Sequence, residues 1–131
     1  MIEEINFNEL RLAIIIRNEY SNNGIKFFGD INDSQQIGFM TRPKGYIIQP
    51  HRHNLIKREI NQTQEVLFLK SGLVKVNFYD NNQNYISSID LKKGDVILLI
   101  EGGHGFEFKE KSELIEVKQG PYIEDEDKIR F

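Results

Sequence analysis

Turn-forming residues interrupt this chain so often that only short elements fit between them. The turn sequences are Ser21-Asn22-Asn23-Gly24, Gly29-Asp30, Pro43-Lys44-Gly45, Lys70-Ser71-Gly72, Asp80-Asn81-Asn82, Lys92-Lys93-Gly94-Asp95 and Glu101-Gly102-Gly103. Gly, Asn, Asp and Pro end regular structure because they favour the backbone angles of tight turns. The apolar runs between these turns have the length of strands, which is too short for most helices. The spacing of turns therefore predicts an all-β fold.

Nine runs between the turns are rich in apolar and β-branched residues and are predicted as strands. They are Ile25–Phe28, Ile37–Thr41, Tyr46–Gln49, Glu65–Lys70, Leu73–Tyr79, Tyr85–Leu91, Asp95–Ile100, Phe106–Phe108 and Glu113–Lys118. In the fifth run Val74, Val76 and Phe78 alternate with polar residues, as in a strand with one buried face. Because no strand-helix-strand alternation is visible, we expect an antiparallel sandwich or barrel.

Two segments carry a less common pattern. Residues 5–17 have the spacing of an amphipathic helix, but Ile14, Ile15 and Ile16 are β-branched and suit a strand equally well, so a short N-terminal helix stays open. The run from Val96 to Ile100 is apolar at every position. This predicts a strand covered on both faces.

Composition excludes several kinds of function. The 131 residues, which we expect to form a single domain over 1–131, have a net charge of −3, so the chain is unsuited to binding nucleic acid. The absence of cysteine excludes disulfides, thiolate metal sites and cysteine nucleophiles. The start is acidic and no apolar run approaches the ~20 residues of a membrane span, so we expect a cytoplasmic protein without membrane contact.

The three histidines are the most informative residues for function. His51 and His53 are two positions apart, so in an extended segment both imidazoles point to the same side. His104 follows the Gly102-Gly103 turn, and Glu65 opens a predicted strand. Three imidazole nitrogens and one carboxylate form a suitable ligand set for a divalent transition metal.

The spacing of these residues and of the nearby glycines resembles the motifs of the cupin superfamily. Gly45-Tyr-Ile-Ile-Gln-Pro-His51-Arg-His53, followed by Glu65-Val-Leu-Phe-Leu-Lys-Ser-Gly72, is similar to the first cupin motif, and Gly94 to His104 is similar to the second. The resemblance implies a double-stranded β-helix (jelly roll, or cupin barrel). It also implies Fe, Mn, Ni, Co, Zn or Cu held by His51, His53, Glu65 and His104, and a homodimer.

The chain departs from the cupin pattern at three points. The inserted residues Asn54–Gln64 separate His53 from Glu65, Ile100 stands where the second motif usually has proline, and Phe108 replaces its asparagine. Because of the insertion, Glu59 and Gln64 are alternatives to Glu65 as the fourth ligand.

The predicted strand from Glu113 to Lys118 supplies the catalytic candidates. Ile115 and Val117 alternate with Glu116 and Lys118, so one pair faces inward and the other faces outward. Burial of the apolar pair is the more common arrangement and is the one we expect. In the other arrangement Glu116 or Lys118 lies in the pocket, where a carboxylate or amine moves a proton on a bound substrate.

Three functional classes follow from the resemblance and the ligand set. The first is a metal-dependent isomerase or epimerase acting on a sugar or nucleotide-sugar in polysaccharide biosynthesis, with Arg52, Lys57 and Arg58 near enough to hold an anionic group. The second is an Fe(II) dioxygenase, in which metal, oxygen and substrate meet. The third is a non-catalytic protein that binds a small ligand.

Overall fold

The computed structural model describes residues 1–124 and 126–131, and strands are the regular elements in this part of the chain. They are β1 (Ile2–Phe7), β2 (Leu10–Ile16), β3 (Gly24–Phe28), β4 (Ile37–Thr41), β5 (Glu65–Ser71), β6 (Leu73–Tyr79), β7 (Tyr85–Lys92), β8 (Val96–Leu99), β9 (Gly103–Phe108) and β10 (Glu113–Lys118). The prediction of an all-β fold is confirmed.

All strand pairs in the described part of the chain are antiparallel, and they form three sheets. The largest sheet has the order β1-β2-β8-β5-β10, a three-stranded sheet has the order β7-β6-β9, and β3 pairs with β4 as a hairpin. None of the sheets formed by residues 1–124 and 126–131 closes into a barrel. Both β9 and β10 are edge strands.

The two larger sheets pack face to face around the main core. Leu12, Ile15, Leu67, Leu69 and Ile97 come from the five-stranded sheet. The three-stranded sheet contributes Val74, Val76 and Phe78 from β6 and Leu91 from β7. The predicted alternation along β6 is confirmed. Burial of apolar surface between the sheets is the main stabilising term of such a sandwich.

The β3–β4 hairpin covers part of the outer face of the five-stranded sheet. A second core cluster there combines Ile14, Ile16 and Leu98 of the sheet with Ile37 and Phe28 of the hairpin. Because Ile97 faces the main core and Leu98 faces the hairpin, β8 is buried on both sides, as its continuous apolar sequence predicts.

The structure decides between the two alternatives left open for the N-terminal segment and contradicts one predicted strand. The N-terminal segment is a hairpin of β1 and β2, with Asn8 at a φ of 54° in its turn. Asparagine tolerates this left-handed conformation, and the β-branched residues of β2 gain more from sheet packing than from a helix. The run Tyr46–Gln49 is not a strand, because it pairs with no other segment among the described residues.

None of the residues that the structure describes forms a helix of the length and apolarity needed to cross a lipid bilayer.

Candidate functional site

Glu65 and His104 face each other at one end of the sandwich. Glu65 begins β5 and shares its face with Leu67 and Leu69, which belong to the main core. His104 lies on β9 opposite Phe78, another core residue, so its ring also points between the sheets. Each side chain thus comes from a different sheet, and residues far apart in the sequence meet.

The distance between Glu65 Oε2 and His104 Nε2 is 3.6 Å. Glu65 is only 8% exposed, so its charge depends on nearby partners. Contact with the His104 ring is the main cause that holds the pKa of Glu65 below its ordinary value, and the positive charges of Lys118 and Lys128 act in the same direction. Burial acts against them, since it favours the neutral acid. The ionised carboxylate is therefore the favoured form of Glu65.

Glu116 and Lys118 are on the inner face of β10. Their cross-strand partners are Leu67 and Glu65, so they share the face that looks between the sheets. The expectation that Ile115 and Val117 are buried is wrong, because both are exposed on the outer face. Cross-strand pairing decides this orientation, since β5 turns Leu67 inward and Glu116 must follow it.

A pocket of about 950 Å³ surrounds the Glu65–His104 pair. Glu116, Tyr79 and Phe106 line it, together with residues of the C-terminal segment. The pocket therefore combines several carboxylates and an imidazole with aromatic rings. This mixture suits a polar ligand that also has a flat apolar face, as a sugar ring has.

The C-terminal segment, residues 126–131, also lines this pocket. The ring of Phe131 packs edge-on against Tyr79 with 5.2 Å between centroids, and the Thr63 hydroxyl donates a hydrogen bond to Asp127. Lys128 also lines the pocket. Nothing in the sequence distinguishes Tyr79 or Phe131 as pocket residues, because the position of an aromatic residue relative to a pocket depends on how the strands pair.

The other two histidines lie on a different segment. His51 and His53 are exposed, with 5.5 Å between ring centroids, and His51 Nδ1 donates to the carbonyl oxygen of Gln49. Arg52, Lys57 and Arg58, the candidates for holding an anionic group, are exposed on the same segment.

Among the alternatives for the fourth ligand, Glu65 is the one beside a histidine. Gln64 is buried, and its side-chain oxygen accepts a hydrogen bond of 3.0 Å from the backbone of Gln35. Glu59 is exposed on the segment that carries His51 and His53.

A single copy of the chain fits a transition metal only in part. Glu65 and His104 supply a carboxylate oxygen and an imidazole nitrogen of suitable chemistry. Within the described ranges 1–124 and 126–131, no three His, Cys, Asp or Glu side chains converge as metal ligands would. The four predicted ligands are therefore arranged as two separate pairs.

Comparison of the chain with known protein families, with curated proteins and with solved structures finds no match in any of the three. The geometry of the chain itself has to support any proposal about function.

Proposed function

We propose that this chain is a metal-dependent isomerase or epimerase of the cupin type, acting on a sugar or nucleotide-sugar. The observation that carries the proposal is the Glu65–His104 pair, which lies between two sheets in a pocket that also contains Glu116. Proton-transfer enzymes need a carboxylate or imidazole held near a bound substrate, and this pocket holds both.

The residues divide into two roles. Glu65 and His104, together with His51 and His53, would hold a divalent transition metal, which when bound polarises a carbonyl or hydroxyl oxygen. Glu116 faces the pocket from β10 and would accept a proton from a substrate carbon, while Lys118 lies across from Glu65. The aromatic rings of Tyr79 and Phe131 would cover the apolar face of a sugar ring.

Metal content tests the first role. We expect protein purified without a histidine tag to retain a transition metal, and we expect His104→Ala to lose it. Glu116→Gln is the matched control: it alters the same pocket but none of the proposed ligands, so its metal content should equal that of the parent. Equal metal content in the parent and His104→Ala would contradict the assignment.

Hydrogen exchange tests the second role. We expect the parent to catalyse exchange of substrate C–H hydrogen with deuterium from D₂O in a nucleotide-linked keto sugar, measured by mass spectrometry. Loss of a general base typically costs about 10²- to 10⁴-fold in rate, so Glu116→Gln should fall by at least a hundredfold. Oxygen consumption without deuterium incorporation would instead favour the dioxygenase alternative.

A further inference from the structure

Residues 42–63, here called the arm, form the segment that connects β4 to β5. They contain no strand, and every one of them is exposed. Ile47 is 82% exposed and Ile56 is 63% exposed, while Leu55 is fully exposed. Large apolar side chains grouped in this way mark a surface that another molecule covers, because their contact with water is unfavourable.

The backbone of the arm is also free to pair. Among the described residues, the backbone hydrogen bond from Tyr46 to Pro43 is the only one that an arm residue makes with another backbone group. An extended segment with unused N–H and C=O groups can add as a strand to the edge of a sheet.

The three-stranded sheet has a matching open edge at β9. Within residues 1–124 and 126–131, β9 pairs with β6 on one side only, so its other edge carries backbone groups that no strand of this part of the chain pairs with. Its inner face presents His104, Phe106 and Phe108, and the ring of Phe108 is exposed. A strand added here would enlarge the sheet to four strands and close the side of the pocket beside His104.

The sequence of the arm is suited to a strand added beside β9. In an extended arm, Ile47, His51, His53 and Leu55 share one face. Neighbouring strands hold facing side chains about 4.5 to 5.5 Å apart between Cβ atoms. With this face turned inward and the two imidazoles near His104, one aliphatic side chain, Ile47 or Leu55 according to the direction of the added strand, meets the aromatic rings of β9.

The charges of the arm and of the pocket beside β9 are also complementary. The arm has five Lys or Arg residues against one Glu, whereas the rest of the chain has twelve against nineteen Asp or Glu. The pocket beside β9 contains the acidic side chains of Glu65, Glu101 and Glu116. A basic arm is therefore attracted to the acidic body of another copy.

We infer that two copies of this chain exchange arms, so that the arm of each adds to β9 of the other and brings His51 and His53 to its Glu65–His104 pair. Each copy has one arm and one β9 edge, so a two-fold exchange pairs each arm with the β9 of the other copy. The metal-ligand part of this inference rests on the proposed function, whereas the exchange itself does not.

Complementation between two defective variants tests the shared site. One variant is His51→Ala/His53→Ala, with an intact pocket, and the other is Glu65→Ala/His104→Ala, with an intact arm. Each alone should fail to bind Co²⁺, detected by its visible absorbance. Their co-expressed heterodimer should bind about one Co²⁺, because one intact arm meets one intact pocket. A heterodimer that binds none, beside a parent that binds Co²⁺, would overturn the shared site.

Cross-linking tests the exchange without any metal. The chain has no cysteine, so Arg52→Cys in one copy and Glu107→Cys in the other provide one thiol each. Arg52 alternates with the two histidines, and Glu107 is on the outer face of β9. A short bismaleimide should link the mixed copies covalently, whereas Ile31→Cys mixed with Glu107→Cys should give little product.

Sedimentation completes the test. We expect the parent to be a dimer and Ile47→Asp/Leu55→Asp to be a monomer, with Ile31→Asp as a control that stays dimeric. A monomeric parent, or a dimer that survives the arm substitutions, would overturn the exchange. A dimeric, cross-linked parent that binds no metal would leave the exchange standing and would contradict the proposed metal site.

Discussion

At some positions of this chain, close contacts with neighbouring atoms restrict which amino acid fits. Gly72, in the turn between β5 and β6, has a φ of 95°, and a Cβ at this position would lie 2.7 Å from the carbonyl oxygen of Lys111. Only glycine, which has no Cβ, fits both the positive φ and the close approach of the carbonyl oxygen, in agreement with its place in a predicted turn. Glu65 differs from Gly72, because the residue that stabilises its charge is distant in the sequence and cannot be recognised from the residues around Glu65.

The ionisation of Glu65 predicts a pH dependence of stability. Its pKa is lower in the folded chain than in the unfolded chain, so the stabilisation is present above the ordinary carboxyl pKa and is lost as pH falls through the folded value. We expect Glu65→Gln to be less stable than the parent at neutral pH by about 1 kcal/mol. This difference should shrink as the pH falls below the ordinary carboxyl pKa and the carboxylate of the parent becomes protonated.

Urea unfolding at several pH values measures this difference. Glu110→Gln is the matched control, because Glu110 is an exposed residue in the turn between β9 and β10. A constant difference between parent and Glu65→Gln at all pH values would show that the carboxylate charge does not stabilise the fold.

At the scale of elements, a buried ion pair connects four strands. Asp95, before β8, is 2% exposed and accepts hydrogen bonds from Arg17 Nη1 and from the backbone N–H groups of Asn18 and Lys92, at 2.7 to 2.9 Å. Arg17 also pairs with Glu3 of β1 at 2.8 Å. The network therefore joins the ends of β1, β2 and β7 to the start of β8.

Removal of Asp95 should destabilise the whole sandwich. We expect Asp95→Ala to lower the free energy of unfolding by about 3 to 5 kcal/mol, because it leaves buried donors without an acceptor. Asp80→Ala is the control, since Asp80 accepts similar backbone hydrogen bonds from Asn82 and Asn84 in an exposed turn. Denaturant titration compares the two variants, and equal losses would show that burial of the pair adds nothing.

For the whole molecule, the distribution of apolar surface is uneven. The apolar residues of the main core between the two larger sheets are buried, but Ile115 and Val117 on the outer face of β10 remain exposed, as do the apolar residues of the arm. The hairpin of β3 and β4 covers only the part of the outer face that includes Ile14 and Leu98. One copy of the chain therefore leaves apolar surface that a second copy can cover.

Arm exchange predicts that thermal stability depends on protein concentration. When two folded chains dissociate on unfolding, each tenfold rise in concentration adds about 1.4 kcal/mol to the free energy of unfolding of the dimer. The unfolding midpoint should therefore rise by a few degrees for each tenfold increase. In Ile47→Asp/Leu55→Asp we expect a midpoint that does not change with concentration, and calorimetry would detect a shift in that variant if the arm were not responsible.

Much of the fold could be predicted from local sequence. Turn residues and period-two alternation located eight of the nine predicted strands, because these signals act within a few residues. The predicted strand at Tyr46–Gln49 is wrong, although its local sequence is typical of a strand. That segment has the sequence of a strand, but a strand needs a partner, and the arm has none within one copy.

The arrangement of the candidate site could not be predicted from local sequence alone. The inward orientation of Glu116 depends on its register with Leu67, which pairs residues from distant parts of the chain. The contribution of Phe131 and Tyr79 depends on where the C-terminal segment lines the pocket. Local composition cannot predict such contacts, because long-range pairing determines them.

The sequence by itself determined that this chain forms short antiparallel strands, because turn residues and alternating apolar residues act through local backbone preferences. It also led to the prediction, which metal analysis has to test, that Glu65 and the three histidines hold a metal. Only the tertiary structure decided that Glu65 meets His104 while His51 and His53 stand apart on an exposed arm. The reason is that contacts between sheets depend on how distant strands pair, and no short stretch of sequence contains that information.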